Sequence, residues 1–155
     1  MGVADCLAVL DTGSTDYAIA IIRQFAEQQK MPLHLIEQPF EDFATSRNKL
    51  LDLADTLTVD FQLLMDANDE LLGGQGLRQY LDMQLDKDDL GAYFIHQRWQ
   101  VNNANQVFSN IRLIRANAGW RYEGRIHEEL KHPDLSGGTL SRLPDTVMLK
   151  EITGV

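Results

Sequence analysis

The chain has a single cysteine, Cys6, among 155 residues. No disulfide can close within it, which points to a reducing, cytoplasmic setting. Cys6 lies inside an apolar run and reads as a small core residue. No apolar stretch approaches the roughly 20 residues a membrane-spanning helix needs. No signal-peptide pattern, low-complexity segment or internal repeat is present. Basic residues are scarce, 14 against 23 acidic ones, for a net charge of −9. That balance argues against a nucleic-acid scaffold and against binding an anionic membrane surface. It leaves a nucleotide ligand open, because a metal and a few local donors can hold a diphosphate. Charged residues make up 24%, an ordinary share for one folded domain with a substantial core.

Alternation of short apolar runs with helical patterns predicts an α/β fold. Asp5–Leu10 reads as a strand ending in Asp11. TGST then turns into a helix from Thr15 to about Lys30, with Ala18, Ile21, Ile22, Phe25 and Ala26 on one face. Ser14 is the expected N-cap, and Pro32 blocks continuation. Leu33–Gln38 is a second strand and Phe43–Leu57 a second amphipathic helix. Phe61–Met65 suits a buried central strand. Gly73, Gly74 and Gly76 loosen the chain before a short helix around Leu77–Leu85, and Asp86–Asp89 reads as a solvated loop. Tyr93–Val101 and Val107–Arg115 form a hairpin joined by a longer loop, VNNANQ. Asn117 and Gly119 mark the next turn. Pro133, Gly137, Gly138 and Pro144 punctuate a tail with one more strand, Thr146–Glu151. The expectation is one mixed sheet, parallel strands first, flanked by helices.

Four stretches could carry chemistry. In Asp11–Asp16, DTGSTD, Gly13 lets backbone approach a ligand, and the following helix N-terminus offers N–H groups to an anion. Asp11 can accept hydrogen bonds from a base or ribose; the bland alternative is a capped turn. Arg47 in FATSRNKLLDLA either pairs with a neighbouring acid or clamps a phosphate. In DFQLLMDANDELL, Asp66, Asn68, Asp69 and Glu70 repel one another unless something positive shares the space. A hard divalent cation, Mg²⁺ or Mn²⁺, is the natural guest, and a solvated acidic turn the alternative. His127 and Glu128 in GRIHE suggest a metal ligand or general base, against a chance pair on an exposed loop. The spacing to His132 rules out HExxH, and DANDE lacks the EF-hand's central glycine and terminal Glu.

DTGSTD, FATSRNKLLDLA, DFQLLMDANDELL and IRLIRANAGWRYEGRIHEEL, in that order, resemble a family 2 glycosyltransferase of the bacterial and phage-type branch. The likeness runs from about Ala4 to Glu151. It implies a GT-A (Rossmann-like) fold, a nucleotide-sugar donor, a divalent metal and inverting transfer to an acceptor hydroxyl. Asp11 would contact the base, Gly13 and Ser14 would line its loop, and Arg47 would approach the donor. Asp66 and Asn68 would occupy the first and last positions of the metal and diphosphate motif. His127 and Glu128 would sit on the acceptor side, with Glu128 as the base.

The chain departs from that pattern in three ways. Asn68 replaces the motif's second Asp. The family's first strand is missing ahead of Asp5, and the tail stops early, as if this were a central piece of a larger enzyme. A catalytically impaired nucleotide-sugar-binding or interaction module is therefore the alternative. A third reading, an aspartic protease, draws only on DTGS and needs a second such loop or a homodimer.

Overall fold

A computed structural model describes residues 2–85, 91–101, 104–134 and 140–152. The expected loop Asp86–Asp89 and the glycines Gly137 and Gly138 lie outside these residues. The fold is mixed α/β, with three helices and a mixed sheet among the described residues. It divides into two compact units.

The first unit comprises Gly2–Val59 and Gly119–His132. Strand β1 (Leu7–Asp11) runs parallel to β2 (Leu33–Glu37), and helix α1 (Ala18–Gln29) connects them. This is the parallel βαβ start expected from the sequence. Helix α1 begins three residues later than anticipated. Its N-cap is Tyr17, and Ser14 stays in the loop ahead of it. Lys30 ends the helix in the left-handed conformation, φ 51°. The apolar stripe of α1 is only partly covered: Ala26 is buried, whereas Ile21 is 62% and Phe25 47% exposed. Helix α2 (Phe43–Ala54) is capped by Asp42, whose Oδ1 accepts from the Thr45 N–H at 2.7 Å. It buries Ala44, Leu51 and Ala54 and packs on β1. The unit closes with a small antiparallel hairpin, β7 (Arg121–Glu123) and β8 (Glu129–Lys131).

The second unit comprises Asp60–Ala118 and Pro133–Val155. Its sheet has the order β3 (Phe61–Leu63), β6 (Ala104–Arg115), β5 (Ala92–Val101), β10 (Met148–Glu151), β4 (Asp69–Leu72), with β9 (Ser141–Arg142) pairing β5. β5 and β6 are antiparallel, and β10 joins β5 in parallel. Pairing reaches Val101 opposite Ala104, so the connection is tighter than the expected VNNANQ loop. The core gathers Leu77 of α3 (Gly74–Asp82) with Tyr93, Ile95, Leu113, Leu143, Val147 and Leu149. The Tyr93 ring meets Phe61 and Tyr80 edge-on at 6.1 and 6.0 Å, a favoured aromatic geometry.

Two expectations change. Phe61–Met65 shortens to the three residues of β3, which among the described residues pairs only β6, antiparallel, at the end of the strand order. A strand's neighbours cannot be read from its own hydrophobicity. The single sheet also separates: β1 and β2 form their own parallel pair.

Gly73 and Gly76 differ in what they do. Gly73 caps α3 with φ 74°, and a Cβ there would lie 2.1 Å from the Thr146 carbonyl oxygen. Gly76 lies within the helix with nothing near a Cβ. Gly73→Ala should destabilise by about 3 kcal/mol or more, combining a left-handed penalty with steric overlap. Gly76→Ala should stabilise by roughly 0.5–1 kcal/mol. Urea denaturation of the two variants checks both signs.

Candidate functional site

The Asp11 loop is organised inward. The Asp11 carboxylate is buried at the end of β1, and its Oδ2 accepts the N–H groups of Gly13 and Ser14, each at 3.0 Å. Gly13 makes the turn possible with φ 113°. A hydrogen bond from the Ser14 side chain, then those from the Gly13 and Ser14 amides, hold the Asp11 carboxyl below its ordinary range. The amides of Gly13 and Ser14, the residues expected to line the nucleotide loop, are therefore committed to Asp11. The loop is preformed, and Asp11 is its organiser before it is anything else. The helix proper starts beyond it, where Asp16 Oδ1 accepts from the Ala18 N–H at 2.9 Å.

Helix α2 is clamped along its length to the β7–β8 hairpin. Arg47 Nε donates to Glu128 Oε1 at 2.8 Å, and both side chains are largely buried. Asn48 brackets the Tyr122 backbone: its Nδ2 donates to the carbonyl at 2.9 Å, and its Oδ1 accepts the N–H at 2.8 Å. Arg121 reaches Asp52 at 3.1 Å and Asp55 at 3.2 Å. Asn48, Asp52 and Asp55 fall on one helical face by their spacing of four and three. At the helix start, Arg125 is a positive influence on the Asp42 cap, whose carboxyl is lowered chiefly by the Thr45 amide. The Arg47 guanidinium also lies over the Tyr122 ring, 5.3 Å from its centroid.

This arrangement revises several expected roles. Arg47 and Glu128 come together as an ion pair, so each is the other's partner in this structure. Trp120 is only 1% exposed and lies 5.1 Å from the His132 ring, so it is core. His127 is exposed and holds a left-handed turn position, φ 57°. Its place in the hairpin is set by the turn between Gly124 and Glu128.

In the other unit, Asp66–Asp69 forms the turn between β3 and β4. The Asp69 N–H donates to the Asp66 carbonyl at 3.0 Å, and the Asp66 N–H donates to Asp69 Oδ2 at 2.9 Å. Asn68 Nδ2 donates to Glu151 Oε1 at 3.1 Å, and the Asn68 carbonyl accepts from Ile152 N–H at 2.7 Å. Asp66 Oδ2 accepts from Arg112 Nη2 at 2.9 Å. Of the donor set expected for Mg²⁺ or Mn²⁺, Asp66 is engaged by a guanidinium, Asn68 by the Glu151 carboxylate and Asp69 by a backbone amide. Among the described residues no group of three or more His, Cys, Asp or Glu side chains is placed to hold a metal ion. As arranged, Asp66 and Asn68 do not fit a divalent ion.

Arg112 was the residue missed. It occupies a bulge: Tyr93 faces Leu113 and Phe94 faces Ile111, which leaves Arg112 as the extra residue of β6. Bulges of this kind re-aim a side chain. The signal available in the sequence was electrostatic, an acidic turn lacking a cation, but nothing local named the partner.

The chain matches no protein-family model, and no curated protein matches it significantly. Among the described residues no helix is long and apolar enough to cross a membrane.

The Asp11 hydrogen bonds carry a pH signature. A carboxyl lowered on folding contributes stability above its unfolded pKa, and the contribution is lost as pH falls through the folded value. Asp11→Asn should therefore be less stable than the parent at pH 7. The gap should close below about pH 4, the ordinary carboxyl range. Denaturant titrations of both chains across pH 2–7 (roughly the span over which carboxyls titrate) measure this.

Proposed function

We propose that the chain is a glycosyltransferase domain that takes a sugar from a nucleotide-diphosphate sugar and passes it to an acceptor hydroxyl with inversion. What supports the reading is the order of its motifs, together with one observation. Two motifs singled out for the donor and acceptor sides, SRN on α2 and GRIHE on the hairpin, are joined by the Arg47–Glu128 bond across 81 positions of sequence. The ion pair fixes the position of the Glu128 carboxylate, the placement a reacting group needs.

In the reaction, the acceptor oxygen attacks the anomeric carbon, and the bond from that carbon to the diphosphate breaks. The hydroxyl proton passes to the Glu128 carboxylate, and the nucleoside diphosphate departs. Arg47 orients Glu128 and keeps it in place. The preformed Asp11 loop, with Gly13 and Ser14, offers a rigid surface to the nucleotide. The protease reading loses its basis, since DTGS leads here into a helix. The impaired-module reading retains one specific support: both Glu128 and Asp66 are already paired with arginines.

Release of nucleoside diphosphate from UDP- and GDP-sugars, with a panel of alcohol acceptors, tests the proposal. Glu128→Gln should reduce transfer by roughly two to four orders of magnitude, the usual worth of a general base, while the fold is kept. Full activity in that variant would remove Glu128 from the role. Donor binding without any transfer in the parent would favour the impaired module.

A further inference from the structure

The sheet of the second unit buries one face, and at one end of that face the core gives way to a polar row. Side chains alternate along a strand. Ile95 and Gln97, 0% and 1% exposed, therefore put Trp99 on the same face of β5. Gln106 of β6 pairs Trp99 directly. On β10 the buried Leu149 puts Glu151 on this face, and Asp69 of β4 stands opposite Glu151. Leu149 pairs Gln97 in a parallel register, so Glu151, two positions on, comes level with Trp99. The row across β6, β5, β10 and β4 thus reads Gln106, Trp99, Glu151, Asp69. Three interstrand spacings make it about 14 Å long.

Trp99 is 37% exposed, and Phe108 braces it, with ring centroids 4.5 Å apart and planes at 83°. The carboxylates beside it are also held. Asp69 Oδ2 accepts the Asp66 N–H at 2.9 Å, and Glu151 Oε1 accepts Asn68 Nδ2 at 3.1 Å. A carboxylate has about four acceptor sites, so one such bond leaves room for a hydroxyl. Gln97, in the adjoining position of β5, accepts from Asn110 Nδ2 at 2.7 Å, while its own Nε2 is buried with no partner among the described residues. A buried donor left unpaired is costly.

We infer that this row is a binding face for a neutral saccharide. The C–H face of a pyranose ring presents weakly positive hydrogens, which suit the negative face of an indole. Planar carboxylate and carboxamide groups on either side take up the neighbouring hydroxyls, which donate and accept together. The same inventory excludes other ligands. Asp69 and Glu151 repel an anion, and the Arg112 guanidinium of the adjoining turn is paired with Asp66. A purely apolar partner would strip water from these carboxylates without replacing its hydrogen bonds. The inference needs only the second unit and stands without the glycosyltransferase reading.

The test titrates the whole chain with neutral hexasaccharides of glucose, mannose, galactose and N-acetylglucosamine, following the indole N–H signals by NMR. The chain has two tryptophans, and the signal lost in Trp99→Phe identifies Trp99. At least one of these saccharides should shift the Trp99 signal and leave that of the buried Trp120 in place. Trp99→Ala should weaken binding by about tenfold, the scale of a lost aromatic contact. Trp99→Phe, which keeps a smaller platform, should weaken it less. Gln106→Ala alters an exposed side chain, should weaken binding several-fold, and keeps the test open if a Trp99 variant fails to fold. Oligogalacturonate should bind more weakly than the galactose hexamer, because it brings carboxylates to Glu151 and Asp69. No shift with any of the neutral saccharides would overturn the inference. So would binding that survives unchanged in Trp99→Ala and Gln106→Ala, or a preference for the acidic oligomer. Self-association that Trp99→Ala abolishes, with no saccharide response, would make the row a contact between copies and overturn it as well. The role proposed for Glu128 is untouched by any of these results.

Discussion

Two hydrogen bonds from one asparagine hold helix α2 and the β7–β8 hairpin of the first unit together. Asn48 offers its amide to both the N–H and the C=O of Tyr122. A side-chain amide carries donor and acceptor at a fixed spacing, so it can complete a backbone residue as a neighbouring strand would. The hairpin β7–β8 has only three residues per strand, and isolated two-stranded hairpins are marginal in water. Its position therefore depends on what α2 supplies. Arg121 with Asp52 and Asp55 continues the attachment in one direction, and Arg47 with Glu128 in the other. The Glu128 carboxylate gains its place from that attachment, which is why the helix and the hairpin are one structural element although 74 positions separate Asn48 from Tyr122.

The same principle recurs in the second unit in a different form. There the acidic turn is held by an arginine from a β-bulge, 46 positions away. In both places a carboxylate that reads as chemically available in isolation is paired with a guanidinium. Of the two carboxylates, Glu128 is the better shielded, 15% exposed against 35% for Asp66. The chain's deficit of basic residues gives these arginines more weight: with 14 basic residues against 23 acidic, few cations are at hand to neutralise the carboxylates.

Local pattern carried much of the fold. The β1–α1–β2 start, α2, the long β5–β6 hairpin and β10 all appear close to where apolar period and turn residues place them. Asn117 and Gly119 indeed take positive φ at the turn they mark. Most of the errors share a cause, dependence on a partner distant in sequence, and Ser14, drawn by Asp11 three positions away, is the exception. FQLLM is apolar enough for a central strand, yet β3 pairs on one side only. Ser14 has the chemistry of an N-cap, but Asp11 draws its amide into the preceding loop. Of the site, residue types were legible and pairings were not. Arg47 and Glu128 were each noticed for separate tasks, while Arg112 was passed over because its meaning lies in Asp66.

The central claim is that α2 positions the hairpin that carries Glu128. Amide hydrogen exchange in Asn48→Ala, compared with the parent, tests it most directly. Each bond lost at Tyr122 leaves a backbone group unsatisfied at a cost of about 1–3 kcal/mol. The account predicts that protection falls sharply across Arg121–Lys131, and by more than at Leu7–Asp11 and Leu33–Glu37. Unchanged exchange in the hairpin, or a uniform loss across both regions, would contradict it.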